Sequence, residues 1–225
     1  LISVNRQNGA ILWKKTLREE HPQDGTHQFG SWASNSPVTD GKNLYAYFGS
    51  RGLYCLDLNG NVKWGKDFGK MEKVMSFGEG SSPLLYQDKL YVLRDHEGPS
   101  ALFALDKHTG EKVWAAGSEE PGYATPVVYQ HGGRDYAAVF HKKALAAYDL
   151  QNPGDPVFRF SWRTSYGANA SNPHYRDGKF YLSSGYGSGY AVIDISNSEP
   201  EILHRDRQKI LKVQTSILVG DRVIA

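Results

Sequence analysis

Ala104-Leu105-Asp106-Lys107-His108-Thr109-Gly110-Glu111-Lys112-Val113-Trp114 is the stretch that decides the fold, because looser copies of it recur along the chain. One copy runs Ser3-Val4-Asn5-Arg6-Gln7-Asn8-Gly9-Ala10-Ile11-Leu12-Trp13, and another Cys55-Leu56-Asp57-Leu58-Asn59-Gly60-Asn61-Val62-Lys63-Trp64. At Ala147-Tyr148-Asp149 and Val192-Ile193-Asp194 the strand end survives, while the turn and the Trp have drifted. The pattern has a physical reading. A small residue (Ser3, Cys55, Ala104, Ala147) suits a place where neighbouring layers come close. Asp or Asn closes a hairpin turn, and Gly takes its positive φ. The Trp on the following strand buries a large apolar ring over a seam.

Upstream of every copy but the first stands a second signal. Asn35-Ser36-Pro37, Ser81-Ser82-Pro83, Ala124-Thr125-Pro126 and Ser171-Asn172-Pro173 recur every 43 to 47 residues, and Thr215-Ser216-Ile217 begins a fifth copy. A polar turn follows each, then an aromatic strand such as Leu44-Tyr45-Ala46-Tyr47-Phe48 or Leu90-Tyr91-Val92-Leu93. Each unit therefore reads as four short strands, A to D. A period near 45 residues with four strands is the mark of a β-propeller blade. The predicted fold is all-β, a propeller of four-stranded antiparallel blades with about five blade-equivalents. Residues 1–18 form a partial blade, and whole blades cover about 30–69, 77–117, 121–163 and 165–207. A second partial blade covers 213–225. The chain opens on strand-like Leu1-Ile2-Ser3-Val4 without an initiator Met and stops in Arg222-Val223-Ile224-Ala225. Two partial blades can join into one closed five-bladed ring or be the ends of an open arc. The arc of a larger, eight-bladed propeller is the expectation.

Composition agrees. Fourteen Tyr, 9 Phe and 5 Trp suit pleated, half-buried surfaces, and 24 Gly suit tight turns. The 26 Lys and Arg nearly balance 24 Asp and Glu, which argues against nucleic acid as a partner. No apolar run approaches the ~20 residues of a membrane-spanning helix. A single Cys55 rules out an internal disulfide framework and reads as a small buried residue.

The motif Ala-x-Asp-x-x-Thr-Gly-x-x-x-Trp at 104–114 resembles the tryptophan-docking repeat of pyrroloquinoline-quinone (PQQ) type propellers. That family includes quinoprotein alcohol dehydrogenases, B-type lipoproteins of outer-membrane-protein assembly, and exported bacterial proteins of no assigned role, which this chain resembles most. The resemblance implies a periplasmic or otherwise exported location. It specifies fold better than activity.

Strand order puts the D–A and B–C loops at one end of the ring, around the central funnel. The first set carries His27, Phe29, Trp32, Phe77, Glu79, Tyr123, Tyr166 and Asn169. The second carries Arg51, Arg94, Asp95, His96, Glu97, His141, Lys142, Tyr186 and Ser188. The candidate ligand-binding set is His27, Trp32, Arg51, Glu79, Arg94, His96, Tyr123, His141, Tyr166, Asn169 and Tyr186. A concave loop face with convergent aromatic and polar groups is where a propeller ligand sits. Against this, Tyr and Phe near strand starts commonly serve blade packing, and Arg94-Asp95-His96-Glu97-Gly98 also reads as a solvated loop.

No catalytic or metal set assembles. There is no His-Glu-x-x-His, Cys-x-x-Cys or Gly-x-Ser-x-Gly. Gly185-Tyr186-Gly187-Ser188-Gly189 lies between strands, so it reads as a hairpin and not a phosphate loop. The expected function is thus a non-catalytic binding or scaffolding propeller, offering one face to a protein, peptide or glycan. The alternative is part of a PQQ- and calcium-dependent oxidoreductase. By resemblance such an enzyme carries an adjacent Cys pair, carboxylate and amide calcium ligands, a catalytic Asp and a stacked Trp. One Cys departs from that pattern, and only Asp95 with Glu97 hints at the ligand set.

Overall fold

The computed structural model describes residues 1–22, 25, 27–28, 31–72, 78–94, 100–120, 122–197, 199–209 and 211–225. Two strands come first, β1 (Ile2–Val4) and β2 (Ile11–Lys14). Then follow β3 (Val38–Thr39), β4 (Asn43–Tyr47), β5 (Leu53–Asp57) and β6 (Val62–Lys66). The next four are β7 (Leu84–Tyr86), β8 (Lys89–Arg94), β9 (Ala101–Asp106) and β10 (Lys112–Ala116). After them come β11 (Val127–His131), β12 (Arg134–Phe140), β13 (Ala144–Asp149) and β14 (Phe158–Ser161). The last are β15 (His174–Arg176), β16 (Lys179–Ser184), β17 (Gly189–Asp194), β18 (Glu201–Asp206), β19 (Ile217–Val219) and β20 (Arg222–Ile224).

These strands form four antiparallel four-stranded sheets in plain sequence order, flanked by the two-stranded sheets β1-β2 and β19-β20. Each sheet is one blade, its strands reading A to D. β1 and β20 belong to separate sheets, so the two partial blades are not joined into one composite blade.

Register explains the motif. In every blade the small residue of strand C stands directly across from the docking position of strand D. The pairs are Ser3 with Trp13, Cys55 with Trp64 and Ala104 with Trp114. Where the Trp has drifted, Phe158 stands across from Ala147 and His204 across from Val192. Trp13 and Trp64 reach forward one blade. Trp13 Nε1 donates to Leu58 O at 2.9 Å, and Trp64 Nε1 to Lys107 O at 3.2 Å. Both rings lie on the turn glycine of that next blade, Gly60 and Gly110, at φ 86° and 73°.

The core sits between blades rather than within them. Cys55 packs with Leu90, Val92 and Leu105 of the following blade. Ala104 packs with Ala137, Val139 and Ala146, and Ala147 with Phe180, Leu182 and Ala191. A middle strand is thus covered on both faces, and β13 is buried along its whole length. Outer strands such as β6 and β10 expose alternate residues.

A second junction runs through the residues before the prolines. Ser36 N donates to Ser82 Oγ (2.9 Å), Ser82 N to Thr125 Oγ1 (3.1 Å) and Thr125 N to Asn172 Oδ1 (2.8 Å). Asn172 N then donates to Thr215 Oγ1 (3.1 Å). One repeat position thereby stitches five successive units. Among the described residues no helix is long and apolar enough to cross a membrane.

Candidate functional site

The meander order fixes which loops meet. The described residues of the D–A loops at 15–37, 67–83, 117–126 and 162–173 share one end with those of the B–C loops at 48–52, 95–100, 141–143 and 185–188. Of the sequence-predicted residues on these loops, His96 lies outside the described residues, as do Phe29, Phe77, Asp95 and Glu97. The others divide into an outward-facing group and a group that holds the loops together.

The first outward cleft, about 310 Å³, is lined by Trp32, Arg51, Arg18, Lys15, Phe48 and Tyr54 among others. Trp32 is half exposed. Arg51 ends a 3-10 turn at Gly49–Arg51 and pairs with Glu20 at 3.0 Å. Glu20 also binds Arg18 (2.7 Å), and Arg18 reaches Asp67 at 2.8 Å. His27 is exposed on the D–A loop that carries Trp32.

Glu79 holds the same turn from the neighbouring blade. Its carboxylate accepts from Ser50 N at 2.8 Å and from Ser50 Oγ, and Ser50 Oγ accepts from Met71 N at 2.8 Å. The carboxylate sits so close to Gly49 that a Cβ there would overlap it. Arg94 is tied inward, its Nε donating to Phe68 O at 3.3 Å.

Asn169 and His141 lie beneath the face. Asn169 is fully buried, and its Nδ2 donates to His141 O (2.7 Å) and Lys142 O (3.2 Å). Its Oδ1 accepts from Ser184 Oγ at 2.7 Å, which in turn accepts from Trp162 Nε1 at 3.1 Å. Its backbone carbonyl accepts from the amides of Tyr123 (2.9 Å) and Ala124 (3.1 Å). The Asn169 side chain therefore clamps its own D–A loop to the B–C loop of the preceding blade, while its backbone carbonyl holds the preceding D–A loop. His141 is buried, with Nε2 3.2 Å from Tyr148 OH and Nδ1 without a hydrogen-bond partner among the described residues. Burial pushes its pKa down to about 4, so the imidazole is neutral at pH 7.

The second outward cleft, about 380 Å³, is lined by Lys142, Lys143, Arg163, Thr164, Ser165 and Tyr166 with Gly167. Tyr166 is half exposed and meets Tyr186 edge-to-face, with centroids 4.9 Å apart and planes at 80°. Lys212 Nζ stands 6.0 Å over the Tyr186 ring. Ser165 ties the two loops together through Tyr186 O (3.2 Å from Oγ), and Ser188 Oγ donates to Arg163 O at 2.5 Å. Among the described residues the lining of neither cleft includes an Asp or Glu. Lys143, Arg163, Thr164 and Arg18 were not singled out from sequence. The signal that finds them is position: each sits on a D–A or B–C loop beside an aromatic residue already chosen.

Among the described residues no set of side chains assembles that would hold PQQ and calcium. Cys55 is the chain's one cysteine and lies buried in β5, so no adjacent pair exists. No three His, Cys, Asp or Glu are grouped as metal ligands among the described residues. The loop carboxylates Glu79 and Glu120 are committed to Ser50 and to Lys143 (2.5 Å).

The whole chain, residues 1–225, matches the sequence pattern of the family described as outer membrane protein assembly factor BamB. No curated protein matches it in sequence. Among solved structures it is similar to BamB from Moraxella catarrhalis, at TM-score 0.58 and 17% identity, over 99% of this chain and 74% of that one. It is also similar to quinohemoprotein alcohol dehydrogenase from Comamonas testosteroni, at TM-score 0.57 and 14% identity, over 85% of this chain and 38% of that one. A europium-containing methanol dehydrogenase gives TM-score 0.51 and 15% identity, over 73% of this chain and 40% of that one. At these identities the structural likeness speaks for the fold alone, and this chain spans well under half of either dehydrogenase. The repeat, the docked tryptophans and the pattern matched from first residue to last agree: the chain belongs to the BamB family of PQQ-type propellers.

Proposed function

We propose that this chain is a non-catalytic binding propeller that presents the face built by its D–A and B–C loops to a partner protein in an exported compartment. The observation that carries the reading is the pair of clefts on that face, each lined by aromatic rings and cations. Aromatic and Arg side chains are the residue types that anchor protein interfaces. Membership of a family described as an assembly factor supports a protein partner over a peptide or glycan. No cofactor is part of the proposal, since the loop carboxylates Glu79 and Glu120 are already paired within the chain.

The test is site-specific photo-crosslinking in the native host. A photoreactive residue replacing Trp32 should trap a discrete partner protein, identified by mass spectrometry. The same residue replacing His108, on the C–D turn at the opposite end, should not. Equal trapping at both positions, or none at Trp32, would sink the proposal.

A further inference from the structure

Three observations coincide at the second cleft. Its cations are unevenly committed: Lys143 pairs with Glu120 at 2.5 Å, whereas exposed Arg163 makes no ion pair among the described residues. Thr164 Oγ1 is buried in the lining with no hydrogen-bond partner among the described residues. A buried hydroxyl without a partner is unusual and asks for an explanation. Tyr186 holds φ 57°, a conformation that bulky side chains rarely adopt, within Gly185-Tyr186-Gly187. Such strain persists where the surroundings over-determine it, and it gathers at ligand clamps. Here it sets the Tyr186 ring against Tyr166.

We infer that this cleft takes a carboxylate-bearing segment of a partner protein. The inference rests on the binding-propeller reading and gives that face its chemistry. Arg163 offers the planar fork that matches a carboxylate bidentately. Lys142 and Lys143 add positive potential along the B–C loop. Thr164 supplies a hydroxyl donor, and the Tyr166–Tyr186 pair a platform for an apolar or aromatic neighbour of the acidic residue. The chain's net charge is only +2, so this concentration of cations is local and not a general basicity. Nucleic acid is the other polyanion to consider. A cleft of this size with one uncommitted cation lacks the extended basic track that a phosphate backbone follows.

The experiment is calorimetric titration of the whole chain with acetylated, amidated Glu-Glu-Tyr-Glu-Glu and with its Gln-Gln-Tyr-Gln-Gln counterpart. The acidic peptide should bind at least about tenfold more tightly than the neutral one, and high salt should weaken it. Arg163→Gln should lose most of that preference and Arg163→Glu all of it, whereas Trp32→Ala in the other cleft should leave it intact. Arg163 is exposed, so both variants should keep the native melting temperature. Equal affinity for the two peptides overturns the inference, as does indifference to Arg163→Glu. Tighter binding of a single-stranded oligodeoxythymidylate than of the acidic peptide overturns it in favour of nucleic acid. If Trp32 crosslinks persist in Arg163→Glu while the acidic peptide shows no preference, this inference fails alone. Loss of the crosslinks in the unaltered chain fails the broader reading.

Discussion

The indole of Trp64 lies so flat on Gly110 of the next blade that a Cβ on that glycine would come within 2.7 Å of the ring. Gly110 also holds φ 73°, so the turn and the ring both require glycine at this position. The same contact joins Trp13 to Gly60.

Gly110→Ala should therefore destabilise the chain by about 2 kcal/mol, through the clash and the left-handed backbone together. Trp64→Ala should cost about 3 kcal/mol, since it removes a half-buried ring and leaves Lys107 O without its indole donor. Combined, the two changes should cost clearly less than their sum, because each removes the same contact. Urea denaturation of the single and double variants reads all three values.

Asn169→Ala leaves Ser184 Oγ without its acceptor and two loop carbonyls without their donor. A loss of about 3 kcal/mol is expected. Hydrogen exchange should quicken first at 141–143, the loop its side chain clamps, and less at 123–124, which its backbone carbonyl still holds. Unchanged exchange there would refute the clamp.

His141 makes stability depend on pH in a defined window. Its folded pKa is about 4 against an ordinary 6.5, because burial disfavours the charged ring. Above pH 6.5 both states are neutral and the full stability is present. As pH falls below 6.5 the unfolded chain takes up a proton that the folded chain refuses. Stability then drops by about 3 kcal/mol before levelling near pH 4. Asp40 acts lower. Burial pushes its pKa up, but the amides of Asn43 and Lys42 outweigh that and hold it at about 2 against 3.8. Its contribution is present above pH 3.8 and is lost as pH falls toward 2. His141→Gln should flatten the slope between pH 6.5 and 4 and leave the lower arm unchanged.

Cys55 should resist alkylation by iodoacetamide at neutral pH in the native chain and react fully in denaturant. Burial raises its thiol to about 11, and it is the thiolate that reacts.

Calorimetric titration with PQQ and Ca²⁺ should give no saturable heat, since the chain has one cysteine and no carboxylates cluster among the described residues. Saturable binding abolished by Trp32→Ala or Tyr166→Ala would bring the oxidoreductase reading forward.

The blade plan was legible because turn glycines, docked tryptophans and pre-proline residues repeat with the period of the structure. Even the drifted repeats kept their register, with Phe158 and His204 standing where Trp was missing. The face was legible from loop order, but the division of labour on it was not. Tyr166, Trp32 and Arg51 line clefts, as a binding reading expects. Asn169, His141 and Glu79 carry side chains of the same chemical kinds, yet Asn169 and Glu79 tie loops together and His141 lies buried against Tyr148. Sequence shows which groups reach one end of a ring; which of them face outward depends on how closely adjacent blades approach.

The stitch from Ser36 through Ser82, Thr125 and Asn172 to Thr215 is directional: each repeat gives its amide to a side-chain oxygen of the next, and the three middle residues do both. Each junction is therefore built to the same plan, with a hydroxyl accepting in three and an amide oxygen in one. A gene segment one period long, copied in tandem or lost, carries a complete donor and acceptor with it. Blade number is then a quantity that recombination can change in whole steps, while loops on the far side of each fitting diverge independently.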